Sequence, residues 1–151
     1  MKVAPEKKYK PMPQNTKKPT VNATLAERNA LMQVLQTETA LEFSVLVGSR
    51  ATGTARVDSD WDIALQWSPG LDLISMLGQT ETLRRNLANV LRIPPEKIDL
   101  IELRRANLAM RASVAEEGLS LTGQNSLAWA HFLQRTWRDM EDFYWSKSHA
   151  A

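Results

Sequence analysis

The chain has 151 residues, 43% of them hydrophobic and 24% charged, which suits a single globular domain. It contains no cysteine, which excludes disulfides and thiolate metal sites and predicts a cytoplasmic location. Its two histidines cannot form a zinc site alone, and no apolar run reaches the roughly 20 residues that cross a membrane. The net charge of +2 is uneven: residues 1–20 hold six lysines and one glutamate, and the remainder holds 13 basic and 16 acidic residues.

The first segment is rich in lysine and proline. Residues 1–20 contain four of the seven prolines and show almost no apolar periodicity. Residues 1–23 are therefore predicted to be a flexible tail. Because the basic charge is confined to this tail, a DNA-binding face is not expected on the rest of the chain.

The next segments predict alternating helices and strands. Thr24 and Glu27 form a capping-box pattern before an apolar stripe that runs to about residue 39. The run "FSVLV" at 43–47 predicts a buried strand. A helical turn over 49–55 and the alternating strand "WDIALQW" at 61–67 follow.

The second half continues the alternation. Asp72 is predicted to cap a helix that ends before Pro94-Pro95. The segment 97–103 predicts a third strand, and 105–117 a helix that stops at Gly118. A last helix is predicted from Ser126 to Trp145. The order α-β-α-β-α-β-α-α indicates an α/β domain around a small mixed sheet with flanking helices, whose strand order and direction stay open.

The last helix is unusually rich in large side chains. Eight of them fall at spacings of mostly three and four residues: Trp129, Phe132, Leu133, Trp137, Met140, Phe143, Tyr144 and Trp145. We expect the inner half to pack on the domain and the outer half, with Trp137, Tyr144 and Trp145, to contact a partner. The chain thus divides into a tail (1–23), a domain (24–122) and a C-terminal aromatic helix (123–151).

Two aspartates are placed on one face of the second strand. Asp60 and Asp62 are about 6.6 Å apart along an extended chain and would repel each other without a cation. A pair of Mg²⁺ ions would stabilise them, given a further carboxylate from another strand. Asp99 in "KIDL" is the candidate, and Glu102 is the weaker one because it faces the other side of its strand.

A Gly-Ser pair precedes the aspartates. Gly48 and Ser49 follow a strand and open a helical turn, where backbone N–H groups and a hydroxyl can bind phosphate. Arg50 adjoins them and is the best placed arginine for a phosphate contact. A phosphate-binding turn facing paired carboxylates predicts phosphoryl or nucleotidyl transfer.

The stretch "GSRATGTARVDSDWD" at 48–62 resembles the G-S-x10-D-x-D signature of polymerase-β-type nucleotidyltransferases. More narrowly, it is similar to the minimal nucleotidyltransferase (MNT) family, the MntA-type antitoxins paired with HEPN-family RNase toxins (HepT). The resemblance covers about residues 25–145, including "EEGLSLTG" at 116–123, and does not include the tail. Trp61 is bulkier than the aliphatic residue usual between the two aspartates.

This resemblance implies a polymerase-β-like fold for the domain and a role for each site residue. Asp60, Asp62 and Asp99 would bind Mg²⁺, and Asp99 would also help to deprotonate the acceptor hydroxyl. The β- and γ-phosphates would lie on Gly48 and Ser49. The reaction would transfer AMP from ATP to a tyrosine of the partner toxin, with release of pyrophosphate, and so neutralise the toxin.

Two other functions fit the same residues. A nucleotidyltransferase could act on a small molecule such as an aminoglycoside, although the chain has little room for a second substrate-binding domain after residue 125. Alternatively, a non-catalytic antitoxin could mask its toxin by contact alone, for which the aromatic helix is equally suited. Masking should survive Asp60→Ala, and catalysis should not.

Overall fold

A four-stranded sheet organises the chain. The computed structural model describes residues 20–150. Its sheet consists of β1 (Leu41–Val47), β2 (Trp61–Trp67), β3 (Ile98–Glu102) and β4 (Leu119–Thr122), in the order β3-β2-β1-β4. β1 pairs antiparallel with β2 and β4, whereas β2 and β3 run parallel. The predicted mixed sheet with flanking helices is therefore confirmed.

Helices cover both faces of the sheet. They are α1 (Leu25–Gln36), α2 (Ser49–Thr52), α3 (Leu73–Leu91), α4 (Leu108–Glu117) and α5 (Leu127–His149), with a 3₁₀ turn at Pro95–Lys97. One apolar layer joins α1 and α3 to the sheet, and it includes Leu31, Leu83 and Ile63. The other joins α4 and α5 to the opposite face, through Val114 and Phe132. Because successive side chains of a strand point to opposite faces of the sheet, the strands contribute to two separate cores.

Three of the predicted helix starts are confirmed by their caps. Thr24 Oγ1 accepts a hydrogen bond from the Glu27 amide at 3.1 Å, and Glu27 Oε1 accepts one from the Thr24 amide at 3.0 Å. Asp72 and Ser126 cap α3 and α5 in the same way, through a side-chain oxygen and a backbone N–H of the first turn. These local bonds satisfy amides that have no partner inside the helix.

Several element ends differ from the sequence prediction. α4 begins at Leu108 and not at residue 105, because the Asn107 side chain accepts from the Met110 amide and caps the helix there. α1 ends at Gln36, whereas α5 continues to His149. α2 is shorter than the predicted turn, because Gly53 adopts a left-handed conformation after Thr52.

The fourth strand, β4, was missed by the sequence analysis, which placed no strand at 119–122. It has four residues and only two alternating leucines, so it carries little local signal. It forms a strand because it pairs antiparallel with β1, and Ser44 Oγ of β1 lies 2.6 Å from Thr122 Oγ1. Gly123 follows with φ +74° and lies against the β1 backbone, where an added Cβ would overlap Glu42 O.

The start of the domain precedes the predicted boundary at residue 24. The Val21 amide donates to Ala55 O at 2.7 Å, and Ala23 packs against the core on the α1 side. Residues 1–19, which make up most of the predicted tail, lie outside the described residues. Within residues 20–150, no helix is both long and apolar enough to cross a membrane.

Gly123→Ala is expected to lower the stability of the fold by about 2 kcal/mol, because it adds left-handed strain and overlaps β1. Gly78→Ala is a matched control, since an added Cβ on α3 meets nothing within 4 Å. It should stabilise the protein by roughly 0.5–1 kcal/mol. Chemical denaturation measures both. A Gly123→Ala variant as stable as the wild type would contradict the close β4–β1 contact.

Candidate active site

The carboxyl end of β1 lies beside the amino end of β2. Val47 pairs with Asp62 in the antiparallel register, and Gly48 follows with φ +71° before α2 begins at Ser49. An added Cβ at Gly48 would overlap Asp62 Oδ2. The glycine backbone and the Asp62 carboxylate are therefore adjacent, with no room for a side chain between them.

The parallel pairing of β2 and β3 brings two predicted site residues together. Asp62 and Asp99 are register neighbours, so their side chains leave the same face of adjacent strands, which lie about 4.8 Å apart. Asp62 is half-buried between β1 and β3, and Asp99 is exposed on the edge strand. Glu102 lies at the other end of β3, where it accepts from the backbone amides of Trp67 and Arg104.

The sequence predicts Asp60 within the second strand. In the structure it lies one residue before β2. The β2–β3 register starts at Trp61, and the residues before it form a turn in which the Ser59 amide donates to Arg56 O. The Asp60 side chain is 57% exposed, and its Oδ1 lies 3.7 Å from Lys97 Nζ.

The charges of the neighbouring aspartates act on Asp62. Partial burial raises the pKa of Asp62 above its usual value, and the charges of Asp99 and then Asp60 raise it further. Repulsion of this kind is what a bound cation would relieve.

The donor chemistry fits a hard divalent cation such as Mg²⁺, because carboxylate oxygens are its preferred protein ligands. In the described part of the chain, no three acidic or histidine side chains already converge as a metal cluster. The Asp60 carboxylate faces Lys97 instead, while Asp62 and Asp99 remain neighbours.

Arg50 makes contacts that the sequence analysis did not foresee. It is 7% exposed, and its Nε and Nη2 donate to backbone carbonyls of the 56–59 loop. Its guanidinium lies over the Trp61 ring, 4.3 Å from the centroid. The large Trp61 side chain is 2% exposed and belongs to the core on the α1 and α3 side, so its bulk is accommodated.

Residues 29–127 match the family model described as polymerase beta, nucleotidyltransferase. The matched range contains the glycine turn and all three aspartates. The chain belongs to this family. The predicted membership of the nucleotidyltransferases is thus confirmed, and the protein is a nucleotidyltransferase.

Comparison with individual proteins indicates which group of the nucleotidyltransferase family the chain resembles. The chain is 30% identical over 118 residues to the protein adenylyltransferase MntA of Aphanizomenon flos-aquae (strain 2012/KM1/D3), with 74% of this chain and 77% of that protein covered. A chain from a crystal structure of a toxin–antitoxin with AMP-PNP superposes with a TM-score of 0.62 at 25% identity, over 80% of this chain and 92% of that one. These findings confirm the predicted MntA-type group within the family.

A third relative shares the fold. It comes from the complex of tri-AMPylated Shewanella oneidensis HEPN toxin with MNT antitoxin, and superposes with a TM-score of 0.57 at 23% identity, over 81% of this chain and 90% of that one.

Lys97 is a site neighbour that the sequence analysis missed. It lies in the 3₁₀ turn just before β3, two residues before Asp99, and this closeness in sequence is the signal that could have indicated it. What the sequence did not reveal was that the residues preceding β2 and β3 would meet, which brings Lys97 beside Asp60.

In the C-terminal helix, inner aromatic side chains pack on the domain and outer ones are exposed, while the partner contact expected of the outer half stays a prediction. Phe132 is buried, and it packs with Trp129 around Phe43 of β1 at centroid distances of 5.0–5.5 Å. The outer aromatic side chains are exposed, with Trp137 at 41%, Tyr144 at 61% and Trp145 at 65%.

Asp62→Asn is expected to raise the Tm of the cation-free protein at neutral pH. The folded-state pKa of Asp62 lies above its usual 3.8, so the folded protein binds this proton more tightly than the unfolded chain does. The corresponding stability is present below pH 3.8 and is lost as the pH rises through the raised pKa. At neutral pH the wild type therefore carries a destabilising charge that asparagine lacks.

Thermal unfolding in a chelator between about pH 3 and pH 8 measures this effect. The Tm gain of Asp62→Asn should grow with pH above 3.8. Asp58→Asn makes the same charge change at an exposed loop position and should show no such growth. A Tm gain of Asp62→Asn that is independent of pH would contradict the repulsion among the carboxylates.

Proposed function

We propose that this protein transfers AMP from ATP to a tyrosine hydroxyl of a HEPN-family RNase toxin and thereby neutralises the toxin. The observation that carries the proposal is the contact of the Gly48 turn with Asp62, whose register neighbour is Asp99. This arrangement occurs in a chain 30% identical to the protein adenylyltransferase MntA. A glycine turn against paired carboxylates is suited to nucleotide phosphates and their counter-ions.

The glycine turn would bind the β- and γ-phosphates. Gly48 has no side chain, so a phosphate can approach its backbone closely. Ser49 offers a hydroxyl and a backbone N–H at the start of α2. Because Asp62 lies against this turn, phosphate oxygens held there would lie next to the carboxylates.

The carboxylates would hold two Mg²⁺ ions. Asp62 and Asp99 would supply neighbouring oxygens, and Asp60 would join them by turning from Lys97. When bound, Mg²⁺ supplies positive charge that stabilises the phosphates as negative charge develops.

In the transfer step, the acceptor hydroxyl oxygen forms a bond to the α-phosphorus. The bond from the α-phosphorus to the oxygen bridging it to the β-phosphorus breaks, and pyrophosphate leaves. The hydroxyl proton passes to Asp99, which is more exposed than Asp62 and faces the same side of the sheet.

The outer half of α5 would bind the partner. We assign this role to Trp137, Tyr144 and Trp145, whose exposed rings are typical of protein interfaces. In this arrangement residues 24–122 carry the chemistry, and the segment 123–151 both packs on them and presents the partner surface. We also propose a cytoplasmic location, since the sequence has no cysteine.

The first experiment incubates the protein with α-³²P-ATP, Mg²⁺ and the HEPN-family protein encoded nearest to its gene. We expect label on that partner. An Asp60→Asn/Asp62→Asn variant should lose at least about 100-fold in rate, because it removes charged ligands of the cations. Glu102→Gln makes the same carboxylate-to-amide change at the far end of β3 and should retain the rate.

The rival functions give different results in the same assay. Suppression of the partner's RNase activity without any label, and unchanged by the double variant, would support masking by contact. Label that appears only on added small molecules would support a small-molecule transferase. Either result would overturn the proposal.

Tyr144→Ala/Trp145→Ala is expected to weaken partner binding at least about 30-fold, because exposed aromatic residues dominate interface energies. The Tm should not change, since both side chains are mostly exposed. Leu127→Ala removes another exposed apolar side chain (70%) from the opposite end of α5 and serves as the control. Isothermal titration calorimetry measures the affinities, and an unchanged Kd for the double variant would exclude this surface.

A further inference from the structure

The loop that leads to Asp60 is held by two cationic side chains. Four successive backbone carbonyls, those of Arg56, Val57, Asp58 and Ser59, each accept a hydrogen bond from one of them. Arg50 Nη2 donates to the first, second and fourth carbonyls at 3.4, 3.2 and 2.8 Å, and Arg50 Nε also donates to the fourth at 3.2 Å. Lys97 Nζ donates to the third at 3.1 Å.

The surroundings of Arg50 suit a holding role. The side chain is 7% exposed, and the acceptors found by its Nε and Nη2 offset the cost of burying its charge. The guanidinium stacks on Trp61, which is buried and lies between the two aspartates in the sequence. Arg50 thus contacts both the loop before Asp60 and the residue that starts β2.

The loop needs such anchors because the sheet does not reach it. Ladder pairing with β3 begins at Trp61, so residues 56–59 lie outside the ladder. Within the loop, the Arg56 amide donates to Ser59 Oγ at 2.8 Å and closes the turn.

We propose that Arg50 is a positioning residue, which fixes the 56–59 loop and so holds Asp60 just before β2, from where its carboxylate can join Asp62 and Asp99 by turning from Lys97. This assignment replaces the phosphate contact expected from the sequence. It rests on the proposed function, in which Asp60 is a ligand of the divalent cations. Arg50 acts through backbone carbonyls and through Trp61, without touching the nucleotide.

A positioning role and a phosphate contact predict different effects of substitution. Loss of positioning weakens cation binding and leaves nucleotide affinity nearly unchanged once cation is saturating. Loss of a phosphate contact raises KM for ATP at every cation concentration. Arg50→Lys separates the two roles further, because lysine keeps the charge and loses the planar fork that bonds several carbonyls.

The test measures Mn²⁺ binding by electron paramagnetic resonance on the full chain without partner, together with the Mg²⁺ dependence of AMP transfer. Arg50→Ala and Arg50→Lys should both weaken Mn²⁺ binding about ten-fold or more, as substitutions behind metal ligands do. KM for ATP at saturating Mg²⁺ should stay within about three-fold of wild type. Arg85→Ala removes an exposed arginine of α3 and should change neither quantity.

Two results would overturn the inference: wild-type Mn²⁺ affinity in Arg50→Lys, or a KM for ATP that rises ten-fold or more with Mn²⁺ affinity unchanged. If thermal unfolding shows that the Arg50 variants do not fold, Ser59→Ala tests instead whether the structure of the 56–59 loop controls Mn²⁺ binding. It removes only the turn-closing hydroxyl and should weaken Mn²⁺ binding by about two- to three-fold; unchanged affinity would overturn the inference. A wild type that neither binds Mn²⁺ nor transfers AMP would instead overturn the proposed function.

Discussion

The crowding of three carboxylates at one end of β2 and β3 is the constraint that the rest of the fold has to offset. Parallel pairing of β2 and β3 makes Asp62 and Asp99 register neighbours, and Asp60 adds a third charge. Burial and these charges raise the pKa of Asp62, so the site opposes folding at neutral pH. Stability must therefore come from elsewhere, and a divalent cation has a strong electrostatic reason to bind.

The two apolar layers provide that stability. Along β2, alternate residues from Trp61 to Trp67 enter the core on the α1 and α3 side, and Ala64 enters the opposite core, so the strand is anchored on both faces. Asp62 lies at the end of this strand, next to the left-handed Gly48 turn, where packing gives way to solvent. A rigid strand end with an open side is what catalysis requires, because reacting groups must be held without being covered.

Arg50 and α5 each combine packing against the domain with a position beside the site or at the surface. Arg50 Nη2 donates to backbone carbonyls of the loop before Asp60, and these hydrogen bonds offset the cost of burying the guanidinium. In α5, Trp129 and Phe132 pack around Phe43, whereas the outer aromatic residues are exposed. The inner turns hold the helix on the domain, and the outer turns remain free to contact a partner.

The sequence alone determined the features that depend on neighbouring residues. These include the caps at Thr24 and Asp72, the bounds of β2 and the spacing from the Gly-Ser turn to the aspartates, because capping bonds and alternation act over a few positions. Only the tertiary structure decided what depends on distant pairing. The strand order, the existence of β4 and the position of Lys97 beside Asp60 all follow from contacts between segments far apart in the chain. The burial of Arg50 also needed the fold, because a charged side chain is tolerated inside only where the surrounding backbone offers acceptors, and no local pattern encodes those.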